Sequence, residues 1–278
     1  MSDPKISVLT TVYNREGCVG DAIESVLSSN TENWELILVD DCSSDGSYEI
    51  CRKYADQDSR IRLFRNEKNL GDYGNRNMAA SYASGEYLKY VDSDDVIFPY
   101  TLQLLTRFAA QFPHAGMLVA ANPPDKVPPF ELSSTDALLA HFTKYDLLGR
   151  APGSALIQRH AFEAVGGFPG VRHFGDTALW LRLAAAHSVV ALPFGWHWDR
   201  TLDENEKTHR LSYIKPISEQ LKFELEFLKD PGVPLSESQR TAIARRLSRQ
   251  ARRSAIGRFV RTRKIGEIGI LLNLLLRN

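Results

Sequence analysis

The sequence is poor in cysteine, with only Cys18, Cys42 and Cys51 among 278 residues. Three irregularly spaced cysteines are too few for a disulfide framework or a cysteine-rich zinc site. We therefore expect reduced thiols in a cytosolic compartment. No stretch approaches 18 uninterrupted apolar residues, which predicts that no segment spans a membrane. The first five residues run directly into an apolar segment and lack the layout of a signal peptide.

The sequence also lacks net charge, because 34 basic residues balance 34 acidic ones. No global field attracts nucleic acid, so we expect no nucleic-acid partner. The balance is uneven along the chain, however. Ser238 to Asn278 contains eleven Lys or Arg residues against one acid, Glu267, and the rest of the chain is therefore net acidic.

The first 121 residues alternate short β-type runs with segments whose apolar residues recur at helical spacing. The predicted strands are Ile6–Val12, Leu36–Val39, Ile61–Phe64, Tyr87–Val91 and Met117–Ala121. This alternation predicts an α/β fold with a mostly parallel sheet, flanked by helices and joined by right-handed crossovers. Ligands of such sheets bind beyond the carboxyl ends of the strands.

The second half of the chain is less regular. Asn122–Pro129 contains four prolines, which predicts an exposed connection. A strand at Ala155–Gln158 and a helix at Asp176–Ala186 follow. Beyond Leu211 the pattern is helical almost to the end. We therefore divide the chain into residues 1–121, 122–210 and 211–278.

Two acidic clusters come directly after predicted strands, Asp40-Asp41 and Asp92-Ser93-Asp94-Asp95. Carboxylates crowded into four residues repel one another. A hard divalent cation removes this repulsion, and Mg²⁺ usually takes one or two carboxylates together with substrate phosphates. The alternative is that the second cluster only caps the following helix, because Asp is favoured at helix starts.

Five segments of the first 100 residues carry a family resemblance: Ser7–Asn14, Glu35–Gly46, Asn69–Gly71, Gly74–Asn77 and Gly85–Asp95. In this order and spacing they resemble the inverting glycosyltransferases of family 2, whose half-Rossmann architecture is called GT-A. The resemblance implies transfer of a sugar from a UDP- or dTDP-sugar to an acceptor hydroxyl with Mg²⁺ or Mn²⁺. It also implies surface-polysaccharide or lipid-linked glycan acceptors.

The resemblance makes residues 1–121 the nucleotide-sugar-binding half and residues 122–210 the acceptor-binding half of one domain. Within the first half, the family residues that line the uracil or thymine pocket correspond to Thr11, Tyr13 and Asn14. Asp41 would accept a hydrogen bond from N3–H of the base, with Asp40 beside it. For Tyr13 the alternative is simple packing.

The resemblance also assigns residues near the diphosphate. Arg76 lies in a segment that passes close to the nucleotide, where a guanidinium suits a diphosphate; the alternative is a surface ion pair. Asp92 resembles the ribose and metal contact, and Asp94 the direct metal ligand. Asp95 would share either task.

An inverting transfer needs one general base for the acceptor hydroxyl. The family has an Asp for this in a Glu-Asp pair before a helix, and Asp176 matches it. Gly175 replaces the usual Glu, and Ala178 replaces the frequent second acid. The alternative is that Asp176 is only the N-cap of its helix. Gly166 and Gly167 predict a tight turn nearby.

Residues 195–209 resemble a loop that often supplies a late contact to the pyrophosphate. His197, Arg200 and His209 are the candidates, and the sequence prefers none of them over a solvent-exposed role. The Gln-x-x-Arg-Trp signature of processive polysaccharide synthases is absent. We therefore do not expect a processive synthase.

The C-terminal segment, residues 238–278, is a separate signal. An apolar helical stripe flanked by arginines comprises Ile243, Leu247, Ala251, Ala255 and Phe259, and the nearly all-apolar run Ile265–Leu276 follows. A cationic amphipathic helix can bind an anionic membrane surface, here the inner face of the cell membrane. The alternatives are packing on the protein's own acidic body and a dimer contact, and the pattern does not fix an oligomeric state.

Two other functions compete with a glycosyltransferase. A nucleotidyltransferase usually begins with a glycine-rich, basic phosphate loop, and Thr10–Gly17 is not one. A non-catalytic nucleotide-binding or scaffold protein is favoured by Gly175. The intact acidic turn at Asp92–Asp95 argues against it, because a scaffold has no need for clustered charges.

Overall fold

A computed structural model describes residues 6–171, 173–198 and 214–262. The chain forms two compact units, residues 1–202 and residues 203–278. The functional division at residues 121 and 210 stays a prediction.

The first unit is built on strands that are mostly four to seven residues long. They are β1 (Ile6–Val12), β2 (Trp34–Asp40), β3 (Ile61–Arg65), β4 (Tyr87–Tyr90), β5 (Val96–Ile97), β6 (Met117–Ala120), β7 (Phe130–Leu132), β8 (Ala155–Gln158), β9 (Val189–Leu192) and β10 (His197–Trp198). Eight of them form one sheet in the order β3-β2-β1-β4-β8-β6-β9-β7. The other two, β5 and β10, pair antiparallel with each other.

Within the described residues of this unit, seven helices flank the sheet. They are α1 (Val19–Leu27), α2 (Ser47–Ala55), α3 (Asp72–Ser81), α4 (Thr101–Gln111), α5 (Ser134–Leu139), α6 (Arg159–Ala164) and α7 (Gly175–Ala186). The main apolar core lies between the sheet and amphipathic helices such as α1, which buries Val19, Ala22, Ile23 and Val26. A π-helical turn at 140–144 and a 3-10 turn at 152–154 complete the unit.

The first half of the sheet is parallel. β3, β2, β1 and β4 pair in parallel register, and every residue of β2 is buried, as expected for a strand covered on both faces. The predicted α/β fold with a mostly parallel sheet is therefore confirmed. The carboxyl ends of these four strands meet at one edge of the sheet.

The second half of the sheet is mixed. β8 lies antiparallel between β4 and β6, and β7 is antiparallel to β9. The short strands β5, β7, β9 and β10 have no counterpart among the strands predicted from the sequence. The connection 122–129 forms no regular structure and is largely exposed, as predicted.

All three cysteines are free thiols. Cys51 is fully buried on α2, and burial raises the pKa of its thiol to about 12. A thiol with such a pKa is unreactive at neutral pH. Cys51 therefore suggests no redox chemistry.

The second unit contains α8 (Ile214–Phe227) and α9 (Glu237–Thr262). Leu247 and Ala251 of α9 pack with Leu221 and Leu225 of α8 in a small apolar cluster. Part of the apolar stripe predicted from the sequence is thus used within the protein. Of the helices in the described ranges, none is long and apolar enough to cross a membrane.

Candidate active site

Three loops with predicted site residues meet at the carboxyl edge of the parallel strands. Asn14 follows β1, Asp41 follows β2 and Asp92 follows β4. The sheet order β2-β1-β4 separates Asp41 from Asp92 by one strand. The hydrogen bond from Val91 N–H to the Leu9 carbonyl continues the β1–β4 pairing up to the acidic turn.

Asp41 is 2% exposed and is held by three hydrogen bonds. Its Oδ1 accepts from Asn66 Nδ2 at 2.7 Å and from Leu70 N–H at 2.8 Å, and Oδ2 accepts from Gly71 N–H at 2.9 Å. A carboxylate offers about four lone-pair directions. One is left for a ligand, so the contact to a base N3–H stays a prediction that this geometry allows.

Asp40 is completely buried. Its Oδ2 accepts from Ser43 N–H at 3.1 Å and pairs with Arg65 Nε at 3.2 Å. Its Oδ1 is buried and receives no hydrogen bond from the described part of the chain. These contacts make Asp40 a support of the loop after β2, and its contact with a nucleotide stays a prediction.

The loop after β1 is tied to the loop after β2. Asn14 has the left-handed φ of 52°, which Asn tolerates better than most residues. Its N–H donates to Ser43 Oγ, and its Oδ1 accepts from Ser44 N–H at 2.9 Å. Thr11 is partly buried, whereas Tyr13 is 49% exposed. Simple packing does not explain an aromatic ring exposed to this degree.

Arg76 on α3 is 7% exposed and pairs with two acids. Its Nε lies 2.7 Å from Asp72 Oδ1 and its Nη1 lies 2.8 Å from Asp92 Oδ1. Burial lowers the pKa of this guanidinium, but the charges of Asp92 and Asp72 outweigh burial and raise it. Arg76 is therefore a buried cation between two partly exposed acids, and it connects α3 to the acidic turn after β4.

The acidic turn has the geometry of a cation site. Asp92, Asp94 and Asp95 are half-buried, and one carboxylate oxygen from each lies within 4.8 Å of the others. Hard divalent cations prefer such oxygen ligands. The turn does not cap a helix, because β5 follows it and α4 begins only at Thr101 with Tyr100 at the N-cap. The helix-cap alternative for these acids is therefore wrong.

Asp176 lies in the first turn of α7, whose N-cap is Phe174. Its Oδ1 accepts from Thr177 N–H at 2.7 Å. Burial raises the pKa of its carboxyl, and Asp72 adds to this, while the Thr177 N–H and the Arg76 guanidinium oppose it. Asp176 is therefore near the Asp72–Arg76 pair that reaches Asp92. A carboxylate with a raised pKa suits a general base.

The late loop is only partly described. The backbone of His197 in β10 pairs opposite Ile97 of β5, two residues beyond Asp95. Arg200 and His209 lie outside the described residues. All three stay predictions.

Several residues that shape this site have no counterpart among the sequence predictions. Arg15 Nε lies 3.6 Å from Asp94 Oδ2, and Asn66 bridges Asp41 to Asn75. Both follow strand ends, so an inspection of every residue after β1 and β3 could have found them. Tyr73, which packs against Gly175, has no such signal.

The family model described as glycosyl transferase family 2 matches residues 7–166 of this chain, which is more than half of its length. The chain belongs to glycosyl transferase family 2. This match covers the acidic turn and the loops after β1 and β2. It stops before α7 and Asp176. The competing assignment to the nucleotidyltransferases is not supported.

Two relatives are similar to this member of family 2. EpsE of Bacillus subtilis (strain 168), whose name assigns it to the glycosyltransferases, is 32% identical over 197 residues, which are 65% of this chain and 67% of EpsE. WfgD of Escherichia coli is 38% identical over 104 residues, which are 37% of this chain and 40% of WfgD. WfgD is named a UDP-Glc:alpha-D-GlcNAc-diphosphoundecaprenol beta-1,3-glucosyltransferase.

Solved structures share the whole fold. Staphylococcus aureus TarS 1–349 in complex with UDP-GlcNAc has a TM-score of 0.74 at 20% identity, covering 97% of this chain and 79% of that one. The mannosyltransferase PcManGT from Pyrobaculum calidifontis, in complex with GDP-Man and Mn²⁺, has a TM-score of 0.65 at 15% identity, covering 98% and 80%. These likenesses confirm the GT-A fold.

Proposed function

We propose that this chain is an inverting, metal-dependent glycosyltransferase that moves a sugar from a UDP- or dTDP-sugar to an acceptor hydroxyl. The observation that carries the proposal is the connection through α3. Its first turn and the residues before it hold Asp41, pair with Asp92 and lie near Asp176. The helix α3, with the residues before it, would thus connect the proposed base pocket, the proposed cation site and the candidate general base.

The donor half would hold the nucleotide. The exposed ring of Tyr13 offers a face for the base, with Thr11 and Asn14 beside it, and Asp41 offers one remaining acceptor position for N3–H. The UDP-GlcNAc complex of the structural relative TarS and the UDP-Glc in the name of WfgD support a UDP-sugar.

The acidic turn would hold Mg²⁺ or Mn²⁺, with Asp94 as direct ligand and Asp92 and Asp95 beside it. The Mn²⁺ in the PcManGT complex supports this choice. When bound, the ion neutralises negative charge on the departing diphosphate. Arg76 keeps Asp92 oriented toward this position, and His197, Arg200 and His209 are candidates for late diphosphate contacts.

The transfer itself is a single displacement. Asp176 accepts the proton of the acceptor hydroxyl while that oxygen attacks the anomeric carbon. The bond from the anomeric carbon to the diphosphate oxygen breaks, and the nucleoside diphosphate leaves. Attack on the face opposite to the leaving group inverts the configuration. A carboxylate with a raised pKa is a stronger base for this proton transfer.

The acceptor would be a glycan or lipid-linked glycan of surface-polysaccharide synthesis. The name of WfgD describes a diphosphoundecaprenol-linked acceptor, and this supports the same class here. The donor sugar and the linkage are to be found by experiment.

The test is turnover with a panel of UDP-, dTDP- and GDP-sugars and with GlcNAc-diphosphate-lipid analogues as acceptors. We expect nucleotide release with Mn²⁺ or Mg²⁺ and its loss with EDTA, and NMR of the product should show the inverted anomer. Tight nucleotide binding without turnover across the panel would favour the non-catalytic scaffold instead.

We also propose attachment to the anionic inner face of the cell membrane through residues 238–278. Arginines exposed on α9 are Arg245, Arg246, Arg249, Arg252 and Arg253. Each basic residue near an anionic surface contributes about 1 kcal/mol. Since Leu247 and Ala251 pack on α8, the apolar contribution would come from Ile265–Leu276, which lies outside the described residues.

Co-sedimentation with vesicles of phosphatidylglycerol tests this attachment. We expect binding that weakens with salt and is absent from phosphatidylcholine vesicles. Arg249→Glu with Arg252→Glu should abolish binding, whereas Arg52→Glu with Lys53→Glu makes the same charge change at exposed positions of α2 in the first unit. An equal loss of vesicle binding in both double variants would show that binding depends only on net charge. It would contradict the proposed surface.

A further inference from the structure

Gly175, which precedes the candidate base, lies directly against an aromatic ring. A Cβ added at Gly175 would stand 2.6 Å, 2.7 Å and 2.8 Å from Cε2, Cδ2 and Cζ of Tyr73. Real Cβ contacts are essentially never that short, so the ring occupies the space that any side chain at position 175 would need. The glycine and the tyrosine therefore form one matched contact.

The Tyr73 ring is itself held from the other side. It stacks on Phe168 with ring centroids 5.2 Å apart. Phe168 is fixed to α3 by Asn77, whose Oδ1 accepts from Phe168 N–H and whose Nδ2 donates to the Phe168 carbonyl, both at 2.9 Å. The glycine at 167 has a φ of +67°, which lets this loop turn back onto α3. Tyr73 is thus clamped between the loop and α7.

Tyr73 also faces Asp176 itself. Burial, and next the charge of Asp176, raise the pKa of the Tyr73 hydroxyl to about 12, while the backbone N–H of Asp176 lowers it. The hydroxyl is therefore neutral at physiological pH, and its oxygen faces the backbone amide of Asp176. The ring of Tyr73 thus lies against the first turn of α7.

We propose that Tyr73 is a positioning residue: its ring, lodged against Gly175, fixes the first turn of α7 and thereby the direction of the Asp176 carboxylate. This inference rests on the proposed role of Asp176 as general base. A displacement of about 1 Å in a reacting group can cost on the order of 100-fold in rate. Loss of the packing between Tyr73 and Gly175 is therefore enough to lower the rate of sugar transfer.

Two variants break the contact from opposite sides. Tyr73→Ala removes the ring, and Gly175→Ala leaves every polar group in place but pushes the ring away. We expect both to lower kcat for release of UDP from UDP-glucose or UDP-GlcNAc with Mn²⁺ by roughly 10- to 100-fold. The Kd for UDP should stay within about twofold, because Asp41 and the acidic turn are untouched.

Two further variants serve as controls. Tyr73→Phe keeps the ring and removes only the hydroxyl, so it should retain kcat within about fivefold. Gly170→Ala adds a methyl in the same loop, where nothing lies within 4 Å of the added carbon, and should behave as the wild type.

A pH profile separates positioning from general damage. Removing the ring in Tyr73→Ala admits water to Asp176, whose pKa is raised chiefly by burial, with Asp72 and Arg76 as the charged neighbours on α3. The acid limb of kcat should therefore move to lower pH. It should not move in Gly170→Ala.

Hydrogen exchange of the amides of Asp176, Thr177 and Ala178 gives a readout that needs no turnover. We expect faster exchange in Tyr73→Ala and Gly175→Ala than in the wild type and Gly170→Ala. Unchanged exchange, or equal losses in kcat and UDP affinity, would overturn the inference. An active Asp176→Asn variant would instead reject the proposed base, whatever the Tyr73 variants do.

Discussion

The donor and acceptor halves of the site hold their carboxylates in different ways. Asp41 accepts three hydrogen bonds, and Asp92 is paired with the largely buried Arg76. Asp176 accepts one hydrogen bond, from the next residue of its own helix, and otherwise lies beside an aromatic ring. The acids proposed to bind the nucleotide and the metal ion are held by hydrogen-bond donors and by the Arg76 side chain. The proposed base is held mainly by packing against the ring of Tyr73.

This difference suits the two tasks. A carboxylate that ligates a cation must stay ionised, and hydrogen bonds and positive neighbours favour the ionised form. A general base must instead have an affinity for a proton, which burial increases. One fold therefore surrounds Asp side chains with two environments, one that favours the ionised carboxylate and one that raises its affinity for a proton.

The largest effect should come from the acceptor half. Asp176→Asn keeps the size of the side chain but removes the base, so kcat should fall by about 10²- to 10⁴-fold. Calorimetric titration with UDP and Mn²⁺ should give the wild-type Kd, because the donor half is unchanged. A kcat near that of the wild type would show that Asp176 is not the general base.

Removal of the buried cation of the donor half should have the next largest effect. Arg76→Gln leaves Asp72 and Asp92 without their shared partner. We expect the free energy of unfolding in urea to fall by about 2–3 kcal/mol, below the ~3–5 kcal/mol of a wholly buried pair because both acids are partly exposed. This corresponds to a roughly 30- to 150-fold smaller folding equilibrium constant.

The matched control is Arg52→Gln, which breaks an ion pair with Glu49 in which both side chains are more than half exposed. Such surface pairs contribute about 0–1 kcal/mol. If the two variants lost equal stability, the ion pair between α3 and the acidic turn would contribute no more than a surface ion pair.

The donor half is tested by its cation ligands. Asp94→Ala should raise the Kd for UDP in the presence of Mn²⁺ by roughly 10- to 100-fold, to the value that the wild type shows with EDTA. Circular dichroism should be unchanged, because Asp94 belongs to a turn at the surface. Asp92→Asn and Asp95→Asn then rank the other two acids, and unchanged UDP affinity in Asp94→Ala would reject the cation site.

The sequence predicted where the acids of the donor half lie, because their placement depends on short local patterns. A buried apolar run followed by an acid places that acid at the carboxyl edge of a parallel strand, as for Asp41 and Asp92. The pair of Arg76 with Asp72 was not among the predictions, although a spacing of four on a helix favours such a pair. The contact of Arg76 with Asp92 joins separate elements, and no spacing rule indicates it.

The acceptor half was less predictable because its sheet is mixed and its contacts are remote. Asp176 was found by resemblance, since it follows no strand end. Gly175 was interpreted as a lost acid, and only the packed structure reveals Tyr73 in that space, about 100 residues earlier in the chain. This aromatic packing depends on α3, the loop with Phe168 and α7 together, and no local sequence pattern indicates it.

The smallest effect concerns a charge that acts on the base from the donor side. The negative charge of Asp72 raises the pKa of Asp176, although less than burial does. Asp72→Asn should therefore lower that pKa and move the acid limb of the kcat profile to lower pH. Because the Asp72 side chain is 57% exposed, we expect a shift below about one pH unit that decreases as salt is added. Asp56→Asn, an exposed acid at the end of α2, should leave the limb in place, and a shift to higher pH in Asp72→Asn would contradict the electrostatic link between the halves.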